Sequence, residues 1–112
     1  MSQNKYRDKI GKKIFSYIRL ARKSGSLIAG FDACVSESRK GNLKLVIACE
    51  DLSEGSKRNL ENKCNEVTKI IVFGQSSDLN KETGLSNKKI LGIGNDNLAD
   101  AIMKNHELYM KS

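Results

Sequence analysis

A chain of 112 residues and 12.4 kDa is the size of a single domain, 1–112, and such a chain buries roughly two thirds of its unfolded surface. Hydrophobic residues at 38% and charged residues at 29% exclude a disordered polyelectrolyte, and no apolar run approaches the ~20 residues of a membrane-spanning helix. The net charge of +7 is wholly local: residues 1–23 carry eight Lys and Arg against Asp8, 8 − 1 = +7, while the rest of the chain holds twelve charges of each sign.

The first predicted helix covers residues 8–23, where Ile10, Ile14, Tyr17, Ile18 and Ala21 recur at helical spacing and Gly25 ends the run. Lys9, Lys12, Lys13, Arg19 and Arg22 mostly avoid that stripe, and Lys23 follows Arg22 on the end of the helix. A cationic face so concentrated suits a polyanion such as nucleic acid, an anionic membrane surface, or plain solvation. "SLIAG" reads as a short strand and residues 31–40 as a second helix stopped by Gly41. "KLVIAC" is apolar at successive positions, the pattern of a strand covered on both faces.

Ser53 is the expected N-cap of a third helix carrying Leu60 and Cys64 on its inner side, with Asp51 expected to help cap it. "TKIIVF" follows as a buried strand. Ser76-Ser77-Asp78 is expected to cap a short helix around Leu79 that ends at Gly84, "KKILGI" is the fourth strand, and Asn95-Asp96-Asn97 caps a last helix. Strands alternating with helices predict a three-layer α/β/α sandwich with a mixed four-stranded sheet, its ends (1–7 and 108–112) prone to fray.

Catalytic motifs are missing. Gly92-Ile93-Gly94 lacks the third glycine of a dinucleotide fingerprint, and neither Gly25 nor Gly30 leads into the Lys-Ser/Thr of a phosphate-binding loop. Glu50 and Asp51 are neighbours on a strand end, where adjacent side chains point apart, and His106 is expected to be exposed in the last helix. Cys34, Cys49 and Cys64 form no C-x-x-C pair and fall on core segments, which favours small hydrophobes over metal ligands. No enzyme activity, metal or cofactor is expected. The opening MSQNKYRDKIGKK has no apolar heart of a signal peptide, so a cytoplasmic monomer off the membrane is expected.

One stretch stands out. At "LIAGFDACV" a helix starts at Gly30-Phe31-Asp32, leaving backbone N–H groups without partners and a partial positive charge at its mouth. Gly30 allows close approach of a phosphate backbone, and Asp32 can accept hydrogen bonds from base edges. On residues alone, a turn glycine followed by a first-turn acid serves as well.

The succession "LIAG", a helix closing in "RKG", "KLVIACED", "DLNKETGL" and a last short strand and helix resembles the kink-turn-binding ribosomal protein family, the large-subunit seven-Ae and thirty-e type, and within it the small bacterial YlxQ-like branch. The match covers about residues 9–104. It implies one α/β/α domain whose loop before the second helix enters the sheared G·A region of an RNA kink-turn, helped by the loop after the fourth helix. By that resemblance Gly30 precedes the base-reading pair, with Phe31 beside it. Asp32 and Ala33 stand where archaeal and eukaryotic members have Asn and Glu, and Ser36 replaces a lysine. "GLSNKKI" resembles the family's second loop, with Leu85 as stacking surface and Ser86, Asn87 and Lys88 toward phosphates; a plain connecting loop is the alternative.

The expectation is therefore a non-catalytic binder of structured, kink-turn-like RNA, ribosomal or regulatory, with the ribosome as one carrier. The alternative is an adaptor that docks its basic helix on a translation or transcription factor. If about five phosphates are neutralised, log affinity falls with log salt at a slope of roughly −3.5 to −4.5.

Overall fold

The computed structural model describes residues 2–112. Five helices and four strands alternate: α1 (Ser2–Lys23), β1 (Leu27–Ala29), α2 (Phe31–Arg39), β2 (Leu45–Ala48), α3 (Glu54–Lys63), β3 (Lys69–Val72), α4 (Ser76–Thr83), β4 (Ile90–Ile93) and α5 (Asp96–Lys111). α1 starts well before the stretch its apolar stripe predicted, at Ser2, and α5 continues to Lys111. The sheet order is β1-β4-β2-β3, with β2 and β3 parallel and β4 antiparallel to both of its neighbours.

Two hydrophobic layers flank this sheet. On one face Ile10, Ile14, Ile18 and Ala21 of α1 meet Leu79 of α4, Ala99 and Ile102 of α5, and Leu45, Ile47, Leu91 and Ile93 of the central strands. On the other, Cys34 of α2 and Leu60 of α3 cover Val46, Ala48 and Ile90. The α/β/α sandwich with a mixed four-stranded sheet is thus what the alternation predicted. A side chain alternates between faces along a strand, so β2 and β4, covered on both, are buried at every position.

β3 departs from the expectation of a buried strand. It lies at the sheet edge, where Ile71 is buried but Lys69 is exposed, because no strand covers its outer flank. Ser53 caps α3 as expected, its hydroxyl accepting the Ser56 N–H at 3.2 Å. Asn95 caps α5 by accepting the Leu98 N–H at 3.0 Å.

The cysteines divide between the two layers. Cys34 and Cys64 belong to the α2/α3 side and Cys49 to the α1 side, so even spacing in sequence does not bring the three together. Burial pushes the Cys34 thiol up to about 12, with the Cys64 thiol adding to it, and burial does the same to Cys49 ahead of the nearby Asp51 charge. Both are held as neutral thiols near pH 7, the state in which a buried cysteine packs as a small hydrophobe.

Candidate nucleic-acid interface

Antiparallel β4 brings three connections to one rim of the sheet: the β1–α2 turn at Gly30, the β2–α3 loop at Glu50–Ser53, and the α4–β4 loop at Gly84–Lys89. Gly30 N–H donates to Ile90 O at 2.8 Å, which fastens the first of these to the start of β4. A groove of about 420 Å³ opens between them. It is floored by Phe31, Leu52 and Ile90 and rimmed by Gly30, Ser56, Asn87, Lys88 and Lys89.

Gly30 has φ 101° and ψ 159°, a combination reached essentially by glycine alone. It is the N-cap of α2 and supplies no side-chain cap, so the helix mouth keeps its N–H groups available. A Cβ placed on Gly30 would lie 3.8 Å from the Lys88 Nζ, so an ammonium stands over that mouth. Asp32 and Ala33 are exposed on the first turn of α2.

The second loop is shaped by its own backbone. Gly84 ends α4 in the left-handed region, Asn87 follows at φ 56°, and Ser86, Asn87 and Lys88 are exposed. Leu85 is half-buried against the α1-side core, so part of its surface is already used in packing.

The cations of α1 separate into groups. Arg19 pairs with Glu82 at 2.8 Å, and Arg22 Nε donates to Thr83 O at 3.2 Å, so both hold the end of α4 just before the second loop. Lys12 lines a different hollow of about 270 Å³, with Asp8, Glu50 and Asp78 among its rim and Phe15, Phe73 and Tyr109 in its wall. Lys13 and Lys23 are exposed and have no ion pair among the described residues. The structure therefore brings Gly30, Phe31, Asn87 and Lys88 into one groove, ties Arg19 and Arg22 to its approach, and leaves Lys12 outside it.

Asp51 caps a different helix from the one expected. Its carboxylate accepts the Ser76 N–H at 2.8 Å and the Ser76 hydroxyl, so it caps α4, whose own N-cap Gln75 makes no side-chain cap. The Ser76-Ser77-Asp78 run thus receives its cap from the β2–α3 loop. Glu50 turns to Gln75, accepting its Nε2 at 2.9 Å, so the two carboxylates serve separate partners. His106, expected to be exposed, is half-buried with Nε2 3.1 Å from Val72 O, because α5 packs along the sheet.

The Ser76 hydroxyl and then the Ser76 N–H hold the Asp51 carboxyl below its ordinary value of 3.8. A carboxyl depressed in the folded state binds its proton more readily when unfolded. Its stabilisation is therefore complete above the ordinary value and is lost as pH falls through it to the lowered one. Asp51→Asn is expected to flatten the acid limb of unfolding midpoint against pH between about pH 5 and pH 2, leaving the neutral limb parallel to wild type. Denaturant unfolding across that range measures it; superimposable acid limbs would remove the assignment.

Asn80, Leu52, Ser56 and Lys89 escape sequence reasoning. Leu52 and Ser56 reach the groove only through the α3 start, and Lys89 flanks it as β4 begins. No spacing signal marks Asn80, which looks like any polar residue of a short helix.

Solved structures share this fold. A Bacillus halodurans protein of unknown function is 25% identical, with a TM-score of 0.71 over 81% of this chain and 97% of its own. A Giardia lamblia 15.5kD RNA binding protein is 14% identical, with a TM-score of 0.68 over 92% of this chain and 89% of its own. No curated protein matches the sequence. Residues 12–101 match the model of the Ribosomal protein L7Ae/L30e/S12e/Gadd45 family, which spans both loops of the groove and the sheet beneath them, and the chain belongs to that family.

Proposed function

We propose that the protein binds structured RNA without catalysis, through the groove between Gly30 and Lys88, and that its targets are kink-turn-like. The observation that carries this reading is the Lys88 ammonium poised over an uncapped helix mouth whose glycine leaves room for a backbone. Phosphates favour that combination of N–H groups and cation. The apolar floor of Phe31, Leu52 and Ile90 suits an unstacked base, the usual target of sequence-specific RNA recognition. Membership of a ribosomal-protein family supports the same partner, and the Giardia protein of like fold is an RNA binding protein.

Asp32 and Ala33 sit beside the groove as an acceptor and a small apolar residue, so base reading here relies on one carboxylate. Lys89 on its rim supplies screening-sensitive attraction beside Lys88, and Ser86 and Asn87 supply neutral donors.

Titration of a kink-turn RNA, the same RNA with its sheared pairs replaced by Watson–Crick pairs, and a plain duplex separates the possibilities. Preference for the first is expected, with log affinity falling as log salt rises, by roughly 0.7 to 0.9 for each phosphate neutralised. Equal affinity for all three leaves a general duplex binder. Binding to none, or a flat salt response, sinks the proposal and returns the basic helix to a protein partner.

A further inference from the structure

The α4–β4 loop has little to hold it in place by itself. It is exposed from Ser86 to Lys89 and includes a non-glycine residue in the left-handed region, a conformation that persists where its surroundings determine it. The determinant lies one helix away. Asn80, half-buried on α4, donates from Nδ2 to Lys88 O at 2.8 Å and accepts the Lys88 N–H on Oδ1 at 3.1 Å, so one side-chain amide grips both polar groups of the Lys88 residue. The same Nδ2 donates to Ser76 O at 2.6 Å. The reverse orientation would set the amide oxygen against two carbonyls and the NH₂ against an N–H.

Ser76 is in turn fixed from the β2–α3 loop by Asp51, and Asp51 lies 3.9 Å from the Lys89 ammonium. A polar frame therefore runs from Asp51 through Ser76 and Asn80 to Lys88 and returns at Lys89. It joins the connections on either side of the groove.

We infer that Asn80 is a positioning residue for RNA binding: it never meets the ligand, but it holds the Lys88 backbone so that the Lys88 ammonium stands over the α2 mouth. The inference rests on the RNA-binding reading of the groove. Although its bonds to Lys88 are exposed, the frame fixes the loop because the Lys88 peptide leaves its place only when both bonds to one side-chain amide break together. Releasing the Lys88 peptide frees Asn87 from its left-handed conformation, and the ammonium then explores solvent.

Contact and positioning are told apart by combining the two variants. Lys88→Ala deletes a phosphate partner, so the salt slope becomes shallower by about 0.7–0.9. Asn80→Ala removes no charge but frees the ammonium from its place: affinity is expected to fall by roughly 3- to 30-fold, for the loss of up to three ordinary hydrogen bonds, and because that loss passes through Lys88, the double variant Asn80→Ala/Lys88→Ala is expected to bind as Lys88→Ala does. In the RNA-free protein, amide exchange at Lys88 is expected to accelerate in Asn80→Ala while Ile47 and Leu91 keep their protection.

Wild-type affinity retained in Asn80→Ala overturns the inference alone. So does acceleration shared equally by the β2 and β4 amides, which would mean general destabilisation. An Asn80→Ala loss that persists undiminished in the Lys88→Ala background would mean that Asn80 does not act through Lys88, and overturns it too. Wild-type protein that binds no RNA removes the function on which the inference stands.

Discussion

Replacement of Phe73 by alanine is expected to cost about 3–5 kcal/mol, the range for emptying a buried aromatic site. Phe73 is 3% exposed at the end of β3 and touches two other rings: Phe15 of α1 at 5.2 Å between centroids, tilted by 55°, and Tyr109 of α5 at 5.3 Å, edge-on at 78°. Such tilted pairs add to the area term. The Tyr109 ring also carries the Arg7 guanidinium at 4.1 Å, so the cluster fastens the basic end of α1 to the body of the fold. Urea unfolding monitored by circular dichroism reads the loss; a change below about 1 kcal/mol would mean that α1 collapses onto the vacated space.

Gly30→Ala is expected to lower stability by about 1–3 kcal/mol and RNA affinity by tenfold or more, since 1.4 kcal/mol of misplaced binding energy is about a factor of ten. The space at Gly30 is open, with Lys88 Nζ at 3.8 Å as the nearest neighbour, so the penalty comes from φ 101° rather than from collision. Relief of that strain would rotate the first turn of α2 away from β4, breaking the Gly30 N–H bond to Ile90 O. Unfolding free energy and RNA titration on the same preparation test the pair of effects. Unchanged values for both would show that alanine adopts the glycine conformation at no cost.

Much of the architecture is legible in the sequence because it depends on local periodicity. Ile10, Ile14, Ile18 and Ala21 announce the buried face of α1, unbroken apolarity announces β2, and Ser53 and Asn95 announce helix starts through chemistry that acts within three residues. β3 shows the limit, since its run of apolar residues resembles β2, yet its place at the edge follows from strand order, which no local pattern encodes.

The groove divides along the same line. Gly30 draws notice through its neighbours in sequence, whereas Asp51 and Asn80 act across 25 and 8 positions and gain their roles only once loops meet. Arg19 and Arg22 illustrate the reverse error. A count of charge treats them as equals of Lys23, but Glu82 and the Thr83 carbonyl, more than 60 positions away, already engage them.

The orientation of β4 has a practical corollary. Because it runs against β2, the turns at Gly41–Asn42 and Gly94–Asn95 gather at the far end of the sheet, where they line a shallow polar depression apart from the groove at Gly30 and Lys88. Peptide tags, fluorophores or tethers inserted at Gly41–Asn42, clear of the Asn95 cap, would leave the groove untouched, so the domain has a natural handle for immobilisation.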